Sequence, residues 1–305
     1  MLSPLSLITT PIELHKGDQL LSCGTGFYYL SQWDNANLVF LVTNYHVLTM
    51  NGPNDRNLKP QGDSVVFYYH MDAKDPSVVV GLKFPIFTKS KKQIWIEHSN
   101  KMVDIALIPI PFSLPVAPEW KVVDKNLMEI DLDISPSDTV TLIGYPRMYL
   151  DEKNALPIYK TGNIASEYSY DFNGEPCFII DISAFEGNSG SPVFSIQKNA
   201  QIISDRIIIK APGSTIKFLG VYSAGIIDSD FFLPIREIRQ NKQLGIITNL
   251  DMQLGVVWRA SLIEEIIKQN SYQGYEKVGK ELVEGKEFKF KISRGLKIWG
   301  YEASK

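Results

Sequence analysis

The stretch Glu186-Gly187-Asn188-Ser189-Gly190-Ser191-Pro192-Val193 sets one serine between two closely spaced glycines. Glycines at this spacing let the backbone turn tightly and aim its amides inward. A serine hydroxyl is a weak nucleophile alone, so a turn built to present one implies a histidine that takes its proton. It also implies N–H donors for the oxyanion that forms on attack, and the amides of Gly187 and Ser189 are placed for that work.

Four histidines are available. His46 ends the apolar run Leu41-Val42-Thr43-Asn44-Tyr45-His46-Val47-Leu48. His15 lies in a polar N-terminal stretch and His98 in a charged loop, while His70, at the end of a strand, is the one serious rival. A carboxylate is needed to hold the imidazole in one tautomer. Asp104 sits inside Met102-Val103-Asp104-Ile105-Ala106-Leu107-Ile108, where burial without a partner is costly and an imidazole N–H supplies one. The chain order is then His46, Asp104, Ser189, which is the order of the chymotrypsin arrangement and not of subtilisin or the α/β-hydrolases.

Outside these residues the chain reads as short β segments. Phe27–Leu30, Leu38–Val42, Ser64–Tyr69, Val78–Val80 and Ile105–Ile108 form a first group. Val140–Ile143, Cys177–Ile180, Ile207–Ile209, Phe218–Tyr222 and Leu254–Trp258 form a second. Many short, turn-separated strands argue for barrels or a sandwich. The proline-rich run Pro109–Val122 reads as the linker between the groups. Ala260–Gln269, with Leu262, Ile263, Ile266 and Ile267 at helical spacing, reads as the one clear helix. Glu287–Ile292 in the tail reads as a further strand.

At 305 residues, 44% hydrophobic and with a net charge of −3, the chain supports a large core. It gives no electrostatic reason to expect nucleic acid or an anionic membrane. No apolar stretch is long enough to span a bilayer, and the first residues lack a secretory pattern. Two distant cysteines, without metal-ligand spacing, fit a reducing compartment and no zinc site. The expectation is a cytoplasmic protein without metal or cofactor.

The ordered motifs resemble the trypsin-like peptidases of the chymotrypsin superfamily, in the style of the bacterial HtrA and glutamyl-endopeptidase branches without a PDZ domain. Gly24-Thr25-Gly26-Phe27, Thr43–Val47, Asp104–Leu107, Ile143–Pro146, Gly187–Pro192 and Gly220–Gly225 carry the resemblance. It implies an all-β fold of two six-stranded antiparallel barrels with a C-terminal helix. The protease unit would cover 8–270, with barrels at about 8–115 and 120–270 and a C-terminal extension over 271–305. It implies a serine endopeptidase acting through His46, Asp104 and Ser189, with Gly187 and Ser189 as the oxyanion hole. Ser223 would help satisfy Asp104, and Ser223, Ala224 and Gly225 would pair with a protein or peptide substrate. Ser183, Ala184, Gly225 and Gly255 would line a neutral pocket for an apolar side chain, since Ser183 stands where a trypsin has its Asp. Asn188, where activated digestive proteases have an Asp, argues against zymogen cleavage. The alternative is a latent or inactive binding module that a regulatory protein partner activates.

Overall fold

The computed structural model describes residues 2–34, 36–72, 74–110, 121–198, 201–204, 207–210, 214–236, 243–271 and 289–296. Residues 111–120, most of the expected linker, and 272–288 of the tail lie outside the described residues.

The first unit contains β1 (Thr9–Lys16), β2 (Gln19–Trp33), β3 (Ala36–Thr43), α1 (Tyr45–Thr49), β4 (Ser64–His70), β5 (Val78–Pro85), β6 (Ile96–Glu97) and β7 (Ala106–Ile110). Next come β8 (Val123–Asp124) and α2 (Lys125–Met128), then β9 (Thr139–Gly144), β10 (Ile158–Ile164), β11 (Cys177–Asp181), β12 (Pro192–Lys198), β13 (Gln201–Ser204) and β14 (Ile207–Lys210). The chain continues with β15 (Ser214–Arg236), β16 (Gln243–Arg259), α3 (Ser261–Gln269) and β17 (Lys289–Arg294).

The all-β fold has a closed six-stranded second barrel, ordered β10-β11-β16-β15-β12-β9. The first unit is larger than six strands. Its nine-stranded sheet runs β17-β5-β4-β1-β2-β3-β7-β6, with β8 parallel to β2. Past the end of β5, Ile94 N donates to Ile86 O and Phe87 bridges Gln93. These links carry the ladder from β5 round to the run entering β6. The extra edge strand β17 pairs antiparallel with β5, matching Phe290 to Leu82 and Ile292 to Val80. The C-terminal segment thus returns to the first unit.

Each unit fills its own interior. Ile12, Leu14, Leu41, Val65, Phe67, Leu82 and Ile108 form one core; Val140, Leu142, Phe178, Ile180, Leu219 and Val257 form another. A third cluster joins the units. Phe27, Phe40 and Val42 of the first meet Phe194, Phe218 and Trp258 of the second and the Leu262, Ile263, Ile266 and Ile267 face of α3. Phe218 sits 5.4 Å from both Phe27 and Phe194, centroid to centroid, within the range of favourable ring pairs. Asn270 closes α3 by donating from Nδ2 to Ile266 O and Glu97 O, and its carbonyl accepts from Trp33 Nε1.

One reading is corrected by burial. His15 does not lie in a polar stretch: it belongs to β1 and is fully buried. Its Nε2 is 2.9 Å from Glu13 Oε2, and Tyr68 donates to Glu13 Oε1 at 2.5 Å. β1 is buried at every position from Thr9 to His15, so His15 lies inside although the residues that follow it are polar.

Phe218→Ala is expected to cost about 3–5 kcal/mol, because it opens a cavity in the cluster that fastens the units together. Urea unfolding measures this, and a loss below about 1 kcal/mol would contradict the packing account.

Candidate active site

α1 begins directly after β3, so Tyr45 and His46 leave the sheet at the end of an apolar strand. Met50 takes the left-handed conformation (φ 61°) and closes the turn by donating its N–H to His46 O. Asp104 precedes β7, which pairs with β3 from Thr43↔Ala106 onward. That register brings the two functional positions together across adjacent strand ends.

The geometry around Asp104 is tight. Its Oδ2 lies 2.6 Å from His46 Nδ1, and its Oδ1 accepts from His46 N at 3.1 Å. Ser223, from β15 of the second barrel, donates Oγ–H to Oδ2 at 2.6 Å. Asp104 is only 2% exposed, whereas the His46 side chain is 32% exposed. The carboxylate is therefore buried and the imidazole faces solvent. A bond from Nδ1–H to the carboxylate leaves Nε2 as the free acceptor.

The Gly187–Ser191 turn is fixed by backbone contacts. Gly187 and Gly190 have φ of +90° and +86°, values an L side chain rarely adopts. A Cβ on Gly187 would meet Tyr145 O at 2.5 Å and Arg147 N at 2.7 Å, and one on Gly190 would strike Thr25 O and Thr43 Oγ1. Thr25 of β2 fastens the turn from the other unit. Its N–H donates to Ser189 O at 2.8 Å, its hydroxyl donates to Gly187 O at 2.7 Å, and its Oγ1 accepts from Tyr145 N at 3.0 Å. Gly190 N donates to Tyr222 O, and Arg147 N to Glu186 O.

Ser189 itself is half-buried. Among the described residues, its Oγ has no hydrogen-bond partner, and the amides of Gly187 and Ser189 donate to none. Both amides and the hydroxyl are free for an incoming group. No hydrogen bond links Ser189 Oγ to His46; in unliganded sites such contacts are often long.

The residues expected to contact substrate fall into two groups. Ser183, Ala224 and Gly225 are exposed and Ala184 is half-buried. Gly255 is covered by Tyr222, whose ring carbons come within 3.3 Å of a Cβ placed there. Ala224 pairs with Val256, and Gly225 with Gly255. Burial, reinforced by Asp251, pushes the Tyr222 hydroxyl up to about 12, so it is neutral. Asp251 was not foreseen here. Its Oδ1 lies 4.0 Å from the Cβ position of Gly225 and accepts from Gln253 N at 2.8 Å. The side chains of residues 227–250 lie outside the described residues.

Other nucleophiles and bases recede. His70 Nδ1 is 2.9 Å from Pro76 O, and burial lowers its pKa. Its ring is held by a backbone carbonyl instead of a carboxylate. Cys23 and Cys177 are free thiols. Burial, aided by Glu13, raises Cys23 to about 12, and burial, aided by Glu175, raises Cys177 to about 11. A thiol kept protonated is a poor nucleophile. The folded values exceed those of the unfolded chain, so both thiols add stability below about pH 9 that is lost as pH rises through the folded values. Native protein at pH 8 is expected to react with a disulfide reagent far more slowly than urea-unfolded protein. Equal rates would contradict the shielding of the buried Cys177 and the half-buried Cys23.

Sequence reading missed Thr25, Tyr145 and Asn44 as supports of the site. Asn44 Nδ2 donates to Asp104 O at 2.6 Å. The signal for them was that each lies inside one of the ordered motifs, with nothing local to show what it would bond.

No curated protein matches the chain. Among solved structures, the serine endoprotease from Yersinia pestis is similar at 13% identity and a TM-score of 0.44, over 87% of this chain and 62% of that one. Rv3671c from M. tuberculosis H37Rv, as the inactive form of a serine-to-alanine mutant, is similar at 16% identity and a TM-score of 0.40, over 87% and 86%. This chain thus spans less than two thirds of the Yersinia protein. The model of the trypsin-like peptidase domain matches residues 24–201, more than half of the chain and all of the segments that carry His46, Asp104 and Ser189. The chain belongs to the trypsin-like peptidase domain family.

Proposed function

We propose that the protein is a serine endopeptidase in which Ser189 is the nucleophile, His46 the general base and acid, and Asp104 the group that orients His46. The observation that carries this is the His46 Nδ1 to Asp104 Oδ2 contact of 2.6 Å on a buried carboxylate. His46 Nε2 takes the Ser189 proton as Oγ attacks the carbonyl carbon. The oxyanion accepts from the free amides of Gly187 and Ser189. The tetrahedral species collapses as His46 passes the proton to the leaving amine. Water then attacks the acyl-enzyme by the same route, and Ser189 regains its proton.

For the substrate we propose a neutral, apolar side chain before the scissile bond, accepted beside Ser183, Ala184, Gly225 and Gly255. Tyr222, neutral and packed on Gly255, supports an apolar wall, with the Asp251 carboxylate beside Gly225. The two free thiols support a cytoplasmic setting. Among the described residues no helix is long and apolar enough to cross a membrane. The unlinked Ser189 hydroxyl favours a second reading, a latent peptidase whose Ser189–His46 contact forms only when a protein partner binds.

Cleavage of a peptide library is the test. Cleavage after apolar residues is expected, with basic and acidic residues disfavoured about tenfold or more. Ser189→Ala abolishes it, and Asp104→Asn lowers kcat by about 10⁴. Cleavage clustered after Lys, Arg or Glu would overturn the specificity, and activity surviving Ser189→Ala would overturn the mechanism.

A further inference from the structure

Arg56 follows the turn at Pro53–Asp55 and is nearly buried, with a side chain 9% exposed. Each guanidinium nitrogen has a partner. Nε donates to Lys101 O at 2.7 Å, Nη2 to Val103 O at 2.6 Å, and Nη1 to Glu97 Oε2 at 2.6 Å. The group also lies over the Tyr45 ring, 3.9 Å from its centroid, a favourable cation–π distance. Glu97 is itself held by Lys101 Nζ and Trp95 Nε1.

These partners sit on two segments. Lys101 and Val103 form the turn that presents Asp104, and Val103 is its immediate neighbour. Tyr45 opens α1 and immediately precedes His46. One rigid planar cation thus bridges the base-bearing helix and the acid-bearing turn. From the other direction, Asn44 holds the Asp104 carbonyl. The backbone on both sides of the Asp104 side chain is thereby fixed.

We propose that Arg56 is a positioning residue that sets the His46–Asp104 geometry, a role that rests on the peptidase reading above. The fork geometry is what matters. Lysine offers one point charge and cannot reach two carbonyls, a carboxylate and a ring face together. A displacement of about 1 Å at a reacting pair lowers turnover by up to about 10²-fold.

The test compares the whole protein with Arg56→Lys and Arg56→Ala, using kinetics normalised to folded protein and the NMR resonance of the His46 Nδ1 proton. Arg56→Ala is expected to lower kcat by roughly 10- to 100-fold with KM nearly unchanged, and Arg56→Lys by a smaller factor. In both, the Nδ1 proton resonance moves upfield or broadens as its bond to Asp104 loosens. If Arg56→Ala does not fold, Arg56→Lys alone decides. Variants that lose only thermal stability, with kcat and the resonance as in the parent, would overturn the proposal. If the parent protein cleaves no peptide, the peptidase reading fails, and the resonance still decides whether Arg56 sets the pair.

Discussion

A carboxylate that is almost wholly removed from water must find donors or lose its charge. Asp104 finds three: the His46 amide, the His46 imidazole and the Ser223 hydroxyl. The first two come from α1 of the first unit and the third from the second barrel. Both units must therefore be in place before this one group is satisfied. The apolar cluster around Phe27, Phe218 and α3 holds the units where that can happen. Hydrophobic burial supplies the adhesion, and the carboxylate supplies the geometric demand.

The nucleophile turn obeys the same logic from the opposite side. Ser189 belongs to the second barrel, yet its carbonyl is fixed by Thr25 of the first. Thr25 spends its N–H on Ser189 O and its hydroxyl on Gly187 O and Tyr145 N. Two glycines in the left-handed region allow the close approach that these bonds require. Among the described residues the Ser189 and Gly187 carbonyls are satisfied by Thr25 across the interface, while the amides of Gly187 and Ser189, the Ser189 hydroxyl, the Asn188 side-chain amide and the Ser191 hydroxyl have no partner. Rigidity is concentrated at backbone atoms, which suits a site where charge develops on substrate rather than on protein.

Much of this was legible in the sequence, for physical reasons. Glycine spacing around Ser189, an acid within the apolar run at Asp104, and the series of short, turn-separated strands each reflect a local constraint. So does α3, foreseen over Ala260–Gln269 and observed over Ser261–Gln269. What stayed hidden depends on contacts between distant residues. Thr25 reads as one more strand residue until Gly187 is brought to it from 162 positions away. Arg56 carries no motif, and its role emerges only when the Lys101–Val103 turn is brought against it. His15 reads as part of a polar stretch, yet the whole of β1 up to it is buried between neighbouring strands. A strand over Glu287–Ile292 is legible in the tail and forms as β17 over Lys289–Arg294, but its place on the edge of the first sheet beside β5 is not. No local pattern encodes which edge a strand will choose.

The most direct measurement of the central claim is the mass-spectrometric location of the adduct formed with a fluorophosphonate. The account predicts a single modification on Ser189 of the native protein, lost on unfolding and strongly reduced in His46→Ala. A modification on another residue, or one on Ser189 that proceeds equally fast without His46, would contradict it.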